Sequence, residues 1–99
     1  MALMEISVLP VGTQSASLSD HVAKAVKVAK ASGLEVNVTA MGTEVSGGVD
    51  ALLALAGKMH RSVLGGGVQR VLTSIRIDER TDKETTTAGR VRSVMEKVG

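Results

Sequence analysis

From Gln69 to Asp78 the chain alternates, with Val71, Thr73, Ile75 and Ile77 on one side and Arg70, Leu72, Ser74, Arg76 and Asp78 on the other. A period of two marks a strand with one face buried. Gly65, Gly66 and Gly67 separate it from what precedes, and the polar run from Asp78 to Asp82 ends it. Leu3 to Pro10 alternates in the same way, placing Met4, Ile6 and Val8 inward and Glu5, Ser7 and Leu9 outward. Pro10 and Gly12 stop that ladder, since proline has no N–H to give and glycine permits the turn. A further strand is predicted over Leu34–Met41, where Leu34, Val36, Val38 and Ala40 oppose Glu35, Asn37, Thr39 and Met41. Gly42-Thr43 is a tight connection into a short strand at Thr43–Val45, broken by Gly47-Gly48.

Between these strands the period changes to that of a helix. Leu18, Val22, Ala25, Val26 and Ala29 share one face of a helix predicted over Leu18–Ser32, with Ser17 or Ser19 as its N-cap and Gly33 just past its end. Val49, Leu52, Leu53, Ala56, Met59 and Val63 form the apolar stripe of a second helix, Val49–Leu64. A third, over Lys83–Lys97, carries Val91, Val94, Met95 and Val98. Its opening, Glu84 and Thr85–Thr87, is weak helix material.

The order is β-α-β-β-α-β plus a helix. Right-handed crossovers make the strands of each β-α-β unit parallel. Two interleaved units give a four-stranded antiparallel sheet, the last strand beside the first and the helices on one face. This is the α+β, ferredoxin-like sandwich, a single domain over residues 1–99. Its open face is expected to carry Glu5, Ser7, Leu9, Asn37, Thr39, Met41, Arg70, Leu72, Ser74 and Arg76. A face this mixed is suited to packing on a partner or holding a ligand.

Composition sharpens the picture mainly by what it lacks. There is no Phe, Tyr or Trp, so the core is aliphatic. Small aliphatic chains bury less area than aromatics, which leaves a 99-residue domain with 11 glycines thinly stabilised alone and favours association. RNA-recognition sheets and single-strand grooves stack bases on aromatics, and the net charge is only +2, so no nucleic-acid partner is expected. No cysteine is present, which excludes disulfides and thiolate chemistry. No apolar run approaches the ~20 residues of a membrane span. The apolar start meets Glu5 at once, unlike a secretory leader, and a cytoplasmic protein is expected.

Catalytic constellations are also missing. No nucleophile stands at a recognised spacing from a base, and no paired carboxylates share one element. The acylphosphatase reaction uses the same fold but needs an arginine in the loop after the first strand, and Val11–Ser19 has none. Gly65-Gly66-Gly67 precedes a strand, which is the wrong context for a phosphate loop. His21 and His60 lie on different helices without a companion at helical spacing, so no metal site is expected. The chain reads as a binding protein, not an enzyme.

The ordered set Glu5-x-Ser7, Pro10-x-Gly12-Thr13, Met41-Gly42-Thr43, Gly67-x-x-Arg70-Val71 and Asp78-x-Arg80 resembles the thiamine-binding protein family, small ferredoxin-like proteins related to YkoF. The resemblance runs from Glu5 to Val94. It implies non-catalytic binding of thiamine or its hydroxymethylpyrimidine moiety, with no cofactor, by a homo-oligomer, a tetramer built as a dimer of dimers. Ser46 stands where family members often carry a glutamate. The candidate ligand-binding residues are Ser7, Thr13, Ser15, Met41, Gly42, Thr43 and Arg70. Thr13, Ser15 and Thr43 are turn hydroxyls expected to converge at one end of the sheet, over an apolar floor of Leu9 and Met41. Arg70 and Arg76 share a strand face, where ion pairs with Glu5 or with a second subunit compete with ligand contact. The alternative is a ligand-free regulatory or structural module that oligomerises through its sheets.

Overall fold

The computed structural model describes residues 1–12, 18–65, 67–82 and 86–99. Its elements are β1 (Ala2–Pro10), α1 (Leu18–Ala31), β2 (Glu35–Thr39), β3 (Gly42–Gly47), α2 (Val49–Val63), β4 (Val71–Glu79) and α3 (Thr87–Val98). The four strands form one sheet in the order β2-β3-β1-β4, antiparallel at every pairing. This is the ferredoxin-like arrangement anticipated from the element order.

Alternation along β1 is almost complete. Ala2, Met4, Ile6, Val8 and Pro10 are buried, while Leu3, Glu5 and Ser7 are half-buried and Leu9 is exposed. The β1 side chains meet Val45 of β3, Ala25 and Ala29 of α1, and the α2 stripe Leu52, Leu55, Ala56, Met59 and Val63. Two alanines at the contact allow the α1 backbone to lie close to the sheet. Gly33 follows α1 with φ +79°, the left-handed geometry that glycine adopts without a Cβ penalty at a helix end.

Several expectations shift. β3 extends over Gly42–Gly47, beyond the predicted Thr43–Val45, because it is paired on both sides, to β1 and to β2. Ser19 lies inside the first turn of α1 and is not its N-cap; Ser17 lies outside the described residues. On α2, Leu55 is buried and Leu53 is 51% exposed, the reverse of expectation. Leu53 sits one residue, about 100° of helix, past Leu52 and so leaves the stripe. It lines instead a groove with His60, Thr73 and Ile75 along the β4 edge. There the His60 imidazole Nδ1 and the Thr73 hydroxyl are 2.6 Å apart.

Ile75 and Ile77 face the helix side of the sheet as predicted, yet they are 42% and 37% exposed. β4 is an edge strand, and α2 reaches over only its first half. α3 does not cover the remainder: Val91, Val94, Met95 and Val98 are all exposed. This helix starts at Thr87, with the Thr86 hydroxyl accepting from the Gly89 N–H at 2.9 Å. The predicted opening at Lys83, Glu84 and Thr85 lies outside the described residues. The radius of gyration, 14.9 Å, exceeds the roughly 13 Å of a compact 100-residue domain, as a helix standing clear of the sandwich requires.

A salt bridge ties α3 to the sheet. Arg90 Nη1 lies 2.6 Å from Asp78 Oδ2. The hydrogen bond and charge of Arg90 hold the Asp78 carboxyl below the usual carboxylate range. A carboxyl depressed in the folded state stabilises above its ordinary titration range, and that contribution is lost as pH falls through the lowered value. Acidification should therefore loosen α3 before α2, seen as earlier loss of amide exchange protection in α3, and Asp78→Asn should show the same loosening at neutral pH.

At the start of β3 the chain packs tightly against β1. A Cβ on Gly42 would stand 2.8 Å from the Ile6 carbonyl oxygen, which is backbone and cannot swing aside. Gly42→Ala should destabilise by about 1–3 kcal/mol, the usual cost of overpacking, measured by urea unfolding against wild type.

Candidate ligand site

β1 and β3 stay together only part of the way. Their register runs from Ala2↔Gly47 to Ile6↔Thr43, whereas β1 and β4 remain paired as far as Pro10↔Val71. Beyond Ile6, β1 continues while β3 turns back toward β2. Ser7, Val8 and Leu9 then face a gap, with the β2–β3 turn on its far side.

That gap is a cavity of about 170 Å³. Its lining draws on both faces of the sheet, as a gap between strands must: Ser7 and Leu9 belong to the open face, Val8 and Thr43 to the helix side. Val22, Val26 and Met59 close it from the helices. Val22 and Val26 were placed on the core stripe of α1 by their spacing, but they are only half-buried because they look onto this space. The turn side is Thr39, Ala40, Met41 and Gly42. Thr39 braces it: its hydroxyl donates to the Gly42 carbonyl at 3.1 Å and accepts from the Met41 N–H at 3.2 Å.

Of the predicted ligand-binding residues, Ser7, Met41, Gly42 and Thr43 are thus brought together, and Leu9 with them. Thr43 is 4% exposed and, with Ser7 and Thr39, brings a hydroxyl to a mostly apolar lining. Thr13 and Ser15 lie outside the described residues. Arg70 precedes β4, is exposed, and is not among the residues lining the cavity; its carbonyl accepts from the Val11 N–H at 2.9 Å. Thr39, Val22, Val26 and Met59 were missed as site residues. Their signal in the sequence was that of ordinary strand and helix packing.

None of the described lining residues is titratable. The described lining therefore offers shape, hydroxyl groups and an apolar surface, and no titratable side chain for general acid–base work.

The charged groups gather elsewhere, on the open face. One row across the sheet reads Arg76, Glu5, Glu44, Asn37 by register. Arg76 Nη1 is 3.9 Å from Glu5 Oε1, the ion pair anticipated from the sequence, with Arg76 87% exposed. An exposed pair of that length contributes little. Glu44 lies within the predicted strand Thr43–Val45 but is absent from the expected open face; the register with Glu5 brings it there. It stands beside Glu5, and like charges directly across strands repel. Glu44 also puts a carboxylate on the strand face that Ser46 shares. Ser46 itself is 8% exposed. Among the described residues, no group of three or more His, Asp or Glu side chains is placed to hold a metal ion, and no helix is long and apolar enough to cross a membrane.

Comparison with known proteins agrees with this fold. A UPF0045 protein of Methanocaldococcus jannaschii is 40% identical over 92 residues, covering 93% of this chain and 90% of the relative. The crystal structure of a hypothetical protein from that archaeon superposes with a TM-score of 0.87 at 38% identity, covering 96% of both chains. A Thermotoga maritima protein, proposed for thiamine biosynthesis or salvage, shares the fold at a TM-score of 0.81 and 17% identity, covering 94% of this chain and 97% of its own. The sequence profile of the family described as thiamine-binding protein matches residues 4–95, and the chain belongs to that family.

Proposed function

We propose that this chain binds thiamine, or its hydroxymethylpyrimidine moiety, without transforming it, and that the ring occupies the cavity between β1 and the β2–β3 turn. The observation that carries the reading is that cavity's size and lining. At about 170 Å³ it is close to the roughly 150 Å³ engineered void that accepts benzene, so a single ring fits and a second does not. Thr43 and Ser7 supply hydroxyls to orient the ring, and a described lining without titratable groups suits binding without chemistry. Family membership and the Thermotoga maritima neighbour point to the same ligand class.

Affinity follows from the same inventory. Each neutral hydrogen bond adds about 0.5–1.5 kcal/mol net, and no Phe, Tyr or Trp is available for stacking. A dissociation constant in the micromolar range, near −8 kcal/mol, is expected. Titration calorimetry with hydroxymethylpyrimidine and thiamine tests this directly. Saturable heat abolished by Thr43→Val supports the reading, and no heat at millimolar ligand leaves the ligand-free oligomerisation module as the better account.

The assembly we propose is a homo-oligomer, a tetramer built as a dimer of dimers. Support comes from β4, whose outer edge pairs with no other strand among the described residues and whose Ile75 and Ile77 stay exposed. An open edge of this kind is a template for a second strand. The mixed open face offers the second contact. Sedimentation equilibrium should give four copies, and Ile75→Glu should weaken association by at least about tenfold, roughly 1.4 kcal/mol. A monomer at micromolar concentration would sink the proposal.

A further inference from the structure

Met41 is 80% exposed, more than any other large apolar side chain among the described residues, and it sits at the mouth of the cavity. Its backbone has little freedom. The Thr39 hydroxyl holds the Met41 N–H at 3.2 Å, and Gly42 next to it is pressed against the Ile6 carbonyl, with 2.8 Å left for any Cβ. The side chain can therefore move while its attachment point stays fixed. The other lining residues divide differently. Ile6 and Met59 are 1% exposed and locked in the core. The chain has no Phe, Tyr or Trp ring to lie over a ligand, and neither histidine is among the residues lining the cavity. An unbranched, polarisable thioether is the side chain best able to replace one, because it adapts to a flat surface and makes favourable sulfur–ring contacts.

We infer that Met41 folds over the bound ring as the closing wall of the cavity, and that peroxide oxidation of its sulfur switches the site off. The inference rests on the binding reading above. The modification is a simple oxygen transfer: the thioether sulfur is oxidised to the sulfoxide, the O–O bond of hydrogen peroxide breaks, and water leaves. The product is polar and chiral where an apolar, adaptable chain is required. Exposure makes Met41 open to that reaction in the empty protein, and a ligand beneath it shields the sulfur.

The chain contains its own controls. Met1 and Met95 are exposed at 61% each but lie away from the cavity, and Met4 and Met59 are buried. The test is limited hydrogen peroxide treatment of the intact protein, with and without saturating hydroxymethylpyrimidine, read by peptide mass spectrometry. Ligand should slow Met41 oxidation by about tenfold and leave Met1 and Met95 unchanged, and the oxidised protein should bind about tenfold more weakly by calorimetry. Met41→Leu, branched and without sulfur, should bind more weakly than wild type and lose the peroxide response, while Met41→Ala should lose more affinity still without peroxide. Binding with unprotected Met41, or a Met41→Ala variant with wild-type affinity, overturns the inference and leaves the binding reading intact. Absence of any binding by the untreated protein overturns both.

Discussion

The structure depends on unequal pairing along one strand. β1 is held by β4 along its full length, Ala2 to Pro10, but by β3 only to Ile6. The shared stretch builds the core, since Met4, Ile6 and Val45 are buried there. The unshared stretch builds the cavity. Had β3 continued beside Ser7 and Leu9, ladder hydrogen bonds would have closed the gap. The place where β3 departs is fixed by Gly42, whose missing Cβ lets the turn come down onto the Ile6 carbonyl. Stability and the candidate site are thus two ends of the same strand.

Much of this was legible in the alternation of side chains. The inward residues of β1, the β-α-β-β-α-β order and the neighbour of β4 all follow from periodicity and handedness. So does the stripe of α2, apart from the exchange of Leu53 for Leu55, which differ by where the helix rotates against an edge strand. The four site residues Ser7, Met41, Gly42 and Thr43 came from resemblance, and the structure draws them to one cavity. The cavity itself was not legible. It arises from the difference in length between two pairings, and strand ends are where periodicity has least to say. Glu44, inside the predicted third strand, takes its place beside Glu5 from register, which a three-residue run does not specify, and Val22, Val26 and Met59 look from sequence like any packed aliphatic.

Apolar surface remains where the fold has run out of layers. Two helices cannot cover four strands evenly, and the shortfall appears at β4, where Ile75 and Ile77 are left partly open. α3 does not remedy it. Its link to the sheet runs through Arg90 and Asp78, while its apolar face, Val91 to Val98, is turned elsewhere. Edge strand and helix thus present separate apolar surfaces.

The aromatic-free composition reaches beyond packing. With no Phe, Tyr or Trp, the chain has no chromophore other than its peptide bonds and the weak absorption of its histidines and methionines. It is dark in the near ultraviolet and has no intrinsic fluorescence. An added pyrimidine would stand out against that blank background, so its partition onto the protein in equilibrium dialysis could be read by absorbance alone.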